Sequence, residues 1–309
     1  MRVTQKVRKI LKNYESETPG VKANLARILS TGKLAGTGKM VILPVDQGFE
    51  HGPARSFAVN PDAYDPLYHY QLAVESGCSA YAAPYGALSA GADSYAGAIP
   101  TILKMNSANS LSANTGDYNQ AITAEVRDAL QLGCSAIGFT IYPGSDNMYE
   151  MMEEIRELSR EAAEYGIATV LWAYARGEGV PKEGETAQDI IAYAAHMSCL
   201  LGAHIVKVKL PSADLSLPAA KKVYEEYKIP MKTQTERVAD VVKSCFNGRR
   251  LVVFSGGSKK DETAVYDDAR AIRDGGGNGS IIGRNCFQRP KAEALEMLDK
   301  IMRIYKGQE

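Results

Sequence analysis

From residue 40 onward the chain carries short apolar runs at regular intervals, and stretches of helical periodicity separate most of them. Eight such runs stand at 40–45 (MVILPV), 80–84 (AYAAP), 99–105 (IPTILKM), 136–141 (AIGFTI), 168–173 (ATVLWA), 204–209 (HIVKVK), 251–254 (LVVF) and 280–282 (SII). Most are apolar at consecutive positions, the pattern of parallel strands buried on both faces. Over 148–165, 186–201, 233–245 and 262–274 apolar residues return every three or four positions, as on one face of a helix. This alternation predicts an α/β fold, a closed (β/α)8 TIM barrel, ahead of a doubly wound open sheet.

Before the first run, Val3, Val7, Ile10 and Leu11 have helical spacing, and residues 21–29 repeat it after Pro19-Gly20. Residues 1–39 therefore read as an N-terminal helical extension of a single domain spanning 1–309. Segment 211–248 is longer than a strand-helix-strand crossover needs. With Pro211, Pro218, Pro230 and the charged stretch 221–228, it reads as an insertion between strands six and seven, a lid or a subunit contact.

Composition narrows the partners. Lys+Arg and Asp+Glu both number 36, so no overall basic field exists to gather nucleic acid or an anionic membrane, and a small molecule is the expected partner. The five cysteines are scattered without a C-x-x-C pair, which argues against a disulfide framework and a zinc knuckle. The first twenty residues lack a signal-peptide core, and no apolar run reaches membrane-spanning length. A soluble cytoplasmic protein is expected.

In a barrel, chemistry sits at the C-terminal ends of the strands. Here those ends are unusually polar. The first run leads into Asp46, Glu50 and His51; the third ends at Lys104-Met-Asn106; the fifth gives Trp172, Tyr174 and Arg176 at even spacing; the sixth gives Lys207 and Lys209. Strand alternation puts each evenly spaced set on one face. Singly, Asp46 reads equally as a helix cap, Trp172 and Tyr174 as core aromatics, Arg176 as an ion-pair partner and Lys209 as a rim lysine. Together they place an acid, a phenol and amines at one mouth. A lysine on an apolar strand loses hydration, so its neutral, nucleophilic form becomes accessible and Schiff-base chemistry follows. Spacing alone does not choose between Lys207 and Lys209.

Ser255-Gly256-Gly257 closes the seventh run and Gly283-Arg284-Asn285 the eighth, where barrel loops commonly cradle phosphate. Residues 275–279 (GGGNG) precede a strand and match neither G-x-G-x-x-G nor a P-loop, so they read as a helix-to-strand connection. The four histidines, His51, His69, His196 and His204, fall in unrelated contexts. A catalytic zinc site is not expected, and neither is a cofactor.

The ordered motifs DQGFEHGP at 46–53, TIYPGS at 140–145, LWAYARG at 171–177, LGAHIVKVK at 201–209, FSGG at 254–257 and IIGRN at 281–285 resemble the class I fructose-1,6-bisphosphate aldolases of the archaeal and bacterial type. The bacterial branch, with Asp-Gln-Gly for Asp-His-Gly, is the nearer. The resemblance implies a metal-independent aldehyde-lyase that cleaves a sugar bisphosphate, in glycolysis and gluconeogenesis, as a homo-oligomer. It makes Lys207 the Schiff-base residue, Asp46 the first-strand acid, Tyr174 the general acid/base and Trp172 an aromatic wall. Arg176 and His51 match contacts to the distal end of the substrate, Lys209 an electrostatic neighbour, and Ser255, Gly256, Gly257, Gly283 and Arg284 the C1-phosphate site. His204 departs from the acid usual there, and segment 211–248 is absent from compact archaeal relatives. Related scaffolds act on other phosphorylated ketoses or diketones by transaldolase-like or acyl-transfer steps. A non-catalytic phosphate binder remains the alternative of a different class.

Overall fold

The computed structural model describes residues 3–112, 118–255 and 261–309. Two helices open it, α1 (Gln5–Leu11) and α2 (Pro19–Leu29). Thr4 and Thr18 cap them by accepting hydrogen bonds from Val7 N and Val21 N.

Eight strands follow: β1 (Met40–Pro44), β2 (Ala80–Pro84), β3 (Thr101–Lys104), β4 (Ala136–Ile141), β5 (Ala168–Ala173), β6 (Ile205–Lys209), β7 (Leu251–Ser255) and β8 (Gly279–Ile281). They pair in the order β1-β8-β7-β6-β5-β4-β3-β2 and close into a barrel. Every pairing within it is parallel, so the TIM barrel expected from the sequence is the observed fold. The third run is shorter than expected. Pro100 has no N–H for the ladder, and β3 begins after it. The eighth strand begins at Gly279, where a Cβ would stand 1.9 Å from Met40 O. Only glycine lets β8 approach β1 there, which accounts for the last residue of the GGGNG stretch.

The helices around the barrel include α3 (Gln47–His51), α4 (Pro66–Ser76), α5 (Val126–Gln131), α6 (Met148–Glu164), α7 (Gln188–Leu200), α8 (Pro218–Glu226), α9 (Gln234–Ser244), α10 (Glu262–Asp274) and α11 (Lys291–Tyr305). A Thr233–Glu236 capping box starts α9, which packs against both α7 and α10 as a member of the outer ring. Within 211–248, the crossover helix is therefore α9. The additional chain is 211–233 with α8, whose residues all remain at least partly exposed.

Strand alternation divides the interior. Val41, Leu43, Leu103, Phe139, Leu171, Val206 and Phe254 face outward into the core shared with the helices. Met40, Ile42, Ala82, Ile102, Val170, Ile205 and Val253 face the lumen, in one cluster with Val7, Tyr14, Val21, Leu25 and Ile28 of the N-terminal extension. The extension thus plugs the lumen at the end where the strands start. Tyr14 Oη donates to His204 O at 2.6 Å and accepts from Leu251 N at 3.1 Å, bridging β6 and β7. His204 Nδ1 accepts from Thr169 N at 2.8 Å, which leaves the ring proton on Nε2, 3.2 Å from Glu17 Oε2. His204 ties the plug to the floor, at the end of β6 opposite Lys209. Among the described residues no helix is long and apolar enough to cross a membrane.

Candidate active site

At the other end of the barrel the inward residues turn polar and line one cavity. Asp46, Tyr174, Arg176, Lys207 and Lys209 share it with His51, Ser255, Gly283 and Arg284. Nine of the residues expected from the sequence are thereby brought together. Lys207 sits deepest among the lysines of that lining, 3 % exposed, in register with Trp172 of β5 and Val253 of β7. Its Nζ lies 3.8 Å from the centre of the Tyr174 ring. Burial pushes its pKa from 10.5 down to about 7, Lys209 and Lys104 push the same way, and Asp46 and Glu50 oppose them. A substantial share of this amine is neutral near pH 7, as addition to a carbonyl requires.

The three inward lysines differ in their partners. Lys209 Nζ is held by Glu185 Oε2 at 3.1 Å. Lys104 is fully enclosed and donates to Asn106 O and, at 3.1 Å, to Asn106 Oδ1, outside the cavity lining. Lys207 has no ion-pair partner among the described residues. That leaves its amine free to react. Loss of hydration on an apolar strand, the cause expected from the sequence, is the larger one; of the cations, Lys209 and Lys104 add to it.

Asp46 precedes α3 and makes no capping hydrogen bond with its side chain, so its carboxylate faces the cavity uncommitted to the helix. One turn on, Glu50 lines the same cavity; burial first, then the Asp46 carboxylate, push its pKa up to about 7. His51 Nε2 lies 3.7 Å from Glu50 Oε2, and burial followed by Arg55 and Arg284 holds its pKa below the usual imidazole value. Arg176 continues the inward row of β5, its N–H donating to Pro143 O at 3.0 Å. Its guanidinium lies over the rings of Tyr174, Tyr142 and Tyr118 at 5.4, 5.7 and 6.0 Å.

Trp172 is placed differently from the expected wall. It is 2 % exposed, belongs to the lumen cluster and does not line the cavity. Its ring lies over Gly138, where a Cβ would come within 1.8 Å of Cζ3. The indole is therefore a floor beneath the reactive layer. Ser255 and Gly283 line the cavity, and Gly283 sits so near β1 that a Cβ would be 3.0 Å from Pro44 O. Gly256 and Gly257 lie outside the described residues.

Glu50 and Glu185 are the functional candidates that sequence reasoning passed over. Glu50 stands at the polar end of the first run without an assigned role, although its spacing from Asp46 puts both on one helical face. No signal marked Glu185, whose partner Lys209 is 24 residues away. Among the described residues no three His, Cys, Asp or Glu side chains gather as a metal ion would require.

Comparison with known proteins agrees with this geometry. Residues 40–289 match the model of the DeoC/LacD family aldolases. A probable fructose-bisphosphate aldolase class 1 of Chlamydia muridarum is 37% identical over 292 residues, 91% of this chain and 83% of that protein. A fructose-bisphosphate aldolase class 1 of Thermoproteus tenax is 34% identical over 256 residues, covering 82% and 86%. A solved Schiff-base-forming fructose-1,6-bisphosphate aldolase superimposes with a TM-score of 0.71 at 32% identity, over 85% of this chain and 92% of that one. An archaeal aldolase whose catalytic lysine carries a carbinolamine intermediate superimposes with a TM-score of 0.73 at 28% identity, over 96% and 99%. The chain belongs to the DeoC/LacD aldolase family.

Proposed function

We propose that this protein is a class I fructose-bisphosphate aldolase, which reversibly cleaves fructose 1,6-bisphosphate to dihydroxyacetone phosphate and glyceraldehyde 3-phosphate through a Schiff base on Lys207. The observation that carries the reading is one unpaired, buried lysine with its pKa at about 7, inside a cavity that also holds a carboxylate and a phenol. The named relatives and the lysine-bound intermediate of the archaeal structure support it.

The neutral Lys207 amine adds to the C2 carbonyl of the open-chain sugar, and loss of water leaves an iminium that draws electrons more strongly than the ketone. Asp46 or Tyr174 takes the proton of the C4 hydroxyl. The C4–O electrons form the aldehyde, the C3–C4 bond breaks, and its pair moves through C3 to neutralise the iminium as an enamine. Glyceraldehyde 3-phosphate leaves first. Protonation at C3 and hydrolysis then return dihydroxyacetone phosphate and the free amine. Ser255, Gly283 and Arg284, with Gly256 and Gly257, bind the C1 phosphate, and Arg176, His51 and Lys209 face the distal end. Trp172 supports this layer from below.

In this reading residues 1–309 act as one catalytic domain whose extension 1–39 closes the barrel floor. It works in the cytoplasm, where scattered free cysteines stay reduced, and as a homo-oligomer, as the resemblance implies. A coupled assay of triose phosphate release from fructose 1,6-bisphosphate, run beside other phosphorylated ketoses, tests the function. Turnover of the bisphosphate that Lys207→Met abolishes supports it. Turnover confined to another ketose transfers the Schiff-base chemistry to that substrate, and full turnover by the variant refutes it.

A further inference from the structure

Glu185 has no part in the chemistry above, yet it is the most heavily charge-paired carboxylate near the mouth. Its side chain is 8% exposed, on a short 3-10 turn (Lys182–Thr186) in the loop after β5. Oε1 accepts from Lys182 Nζ at 2.8 Å and Oε2 from Lys209 Nζ at 3.1 Å, while Arg176 Nε stands 3.8 Å from Oε2. The same oxygen thus lies between the two cations that line the cavity beside Tyr174. Three cations share one carboxylate, so the group keeps a surplus of positive charge toward the cavity.

The backbone of this turn is fixed from the exit of β6. Ser212 N donates to Thr186 O at 2.7 Å and Gln188 N to Asp214 O at 2.8 Å. The Asp189 carboxylate accepts from Ser216 N at 2.9 Å and Leu217 N at 2.7 Å. A Cβ on Gly184 would stand 2.7 Å from Ser216 Oγ, so the two segments are in close contact. Arg176 is placed by three tyrosine rings and this one carboxylate, and its buried Nε has no hydrogen-bond partner among the described residues. That Nε is enclosed against Glu185, so an oxyanion in the cavity would meet the fixed guanidinium at its terminal nitrogens, which have no hydrogen-bond partner among the described residues.

We infer that Glu185 is a positioning residue: it holds Lys209 and Arg176 as a cation pair that selects substrates with a second phosphate at the end remote from C1. The inference rests on the aldolase reading and names a specificity element within it. Without the carboxylate the two cations repel each other and their long side chains relax toward water, so the pair must be reordered each time a phosphate binds.

Fructose 1,6-bisphosphate and fructose 1-phosphate differ at that end alone, so steady-state kinetics of Glu185→Gln and Glu185→Asp on both substrates test the idea. For Glu185→Gln the KM for the bisphosphate should rise about tenfold, the scale of one lost charge-assisted hydrogen bond. Its kcat should change much less, and the monophosphate should be less affected than the bisphosphate. Glu185→Asp, which keeps the charge, should recover part of the preference. Equal losses on both substrates, a fall in kcat alone, or an unaltered preference would overturn the inference. Calorimetric titration of inorganic phosphate into Arg284→Ala and Arg284→Ala/Glu185→Gln needs no turnover, so it separates a failure of this inference from a failure of the aldolase reading. Weaker phosphate binding in the double variant supports the positioning role, and equal binding overturns it.

Discussion

Replacing Lys207 by methionine should stabilise the fold while destroying activity, with a pH signature that identifies the cause. The lysine is 3 % exposed and its pKa falls from 10.5 in a free chain to about 7 in the folded protein. Above pH 10.5 it is neutral in both states and costs nothing by this route. As the pH falls toward 7 the unfolded chain takes up a proton that the folded protein does not, and stability is lost. The loss is complete below about pH 7, where both states are protonated. Each unit of difference is worth about 1.4 kcal/mol, so the full cost is roughly 5 kcal/mol, with roughly 4 kcal/mol present near pH 7.5 and about 1 kcal/mol near pH 10. Methionine has similar length and no charge to desolvate. Urea unfolding of both proteins at the two pH values, followed by circular dichroism, gives the comparison. The advantage of Lys207→Met should shrink by roughly 3 kcal/mol between about pH 7.5 and pH 10. A stability difference independent of pH would refute the assignment of a depressed pKa to Lys207.

Other consequences are open to direct measurement. Because Lys207 must be neutral to add to the carbonyl, kcat/KM should fall as pH drops below about 7, and Glu50→Gln, which removes a negative charge that raises this pKa, should move that acid limb to lower pH. A pH–rate profile that moves upward or stays fixed contradicts the charge assignment. Gly138→Ala puts a methyl group within 1.8 Å of the Trp172 ring; the displaced indole should cost about 1–3 kcal/mol of stability and lower kcat, read by thermal melting and steady-state assay. Tyr14→Phe removes the hydroxyl that joins His204 O and Leu251 N, leaving only the direct 3.3 Å bond between them, so unfolding should become easier by about 1 kcal/mol with activity at moderate temperature retained.

Much of the barrel was legible because parallel strands covered on both faces have to be apolar at nearly every position. A lysine within such a run is conspicuous. The even spacing of Trp172, Tyr174 and Arg176 gave their common inward direction, since side-chain direction in a strand follows from position alone. Depth did not follow, because it depends on what lies across the lumen: only the neighbouring strand's Gly138 makes room for Trp172 as a floor. The amphipathic spacing of α1 and α2 was visible, but periodicity does not say which surface an apolar face covers, and the lumen is built from eight distant segments. Glu185 was invisible for a related reason. It sits in a polar loop, and its meaning comes from Lys209 and Arg176 meeting it in space. The helical spacing over 233–245 marked the outer helix observed at Gln234–Ser244, and it was the length of 211–248 as a whole, with its prolines and charges, that read as an insertion.

Covalent catalysis by Lys207 can be trapped by sodium borohydride reduction in the presence of dihydroxyacetone phosphate, followed by peptide mapping. Reduction should fix one triose phosphate on the peptide that contains Lys207 and abolish activity in proportion to labelling. An active preparation that stays unlabelled, or a label on Lys209 or Lys104 instead, would contradict it.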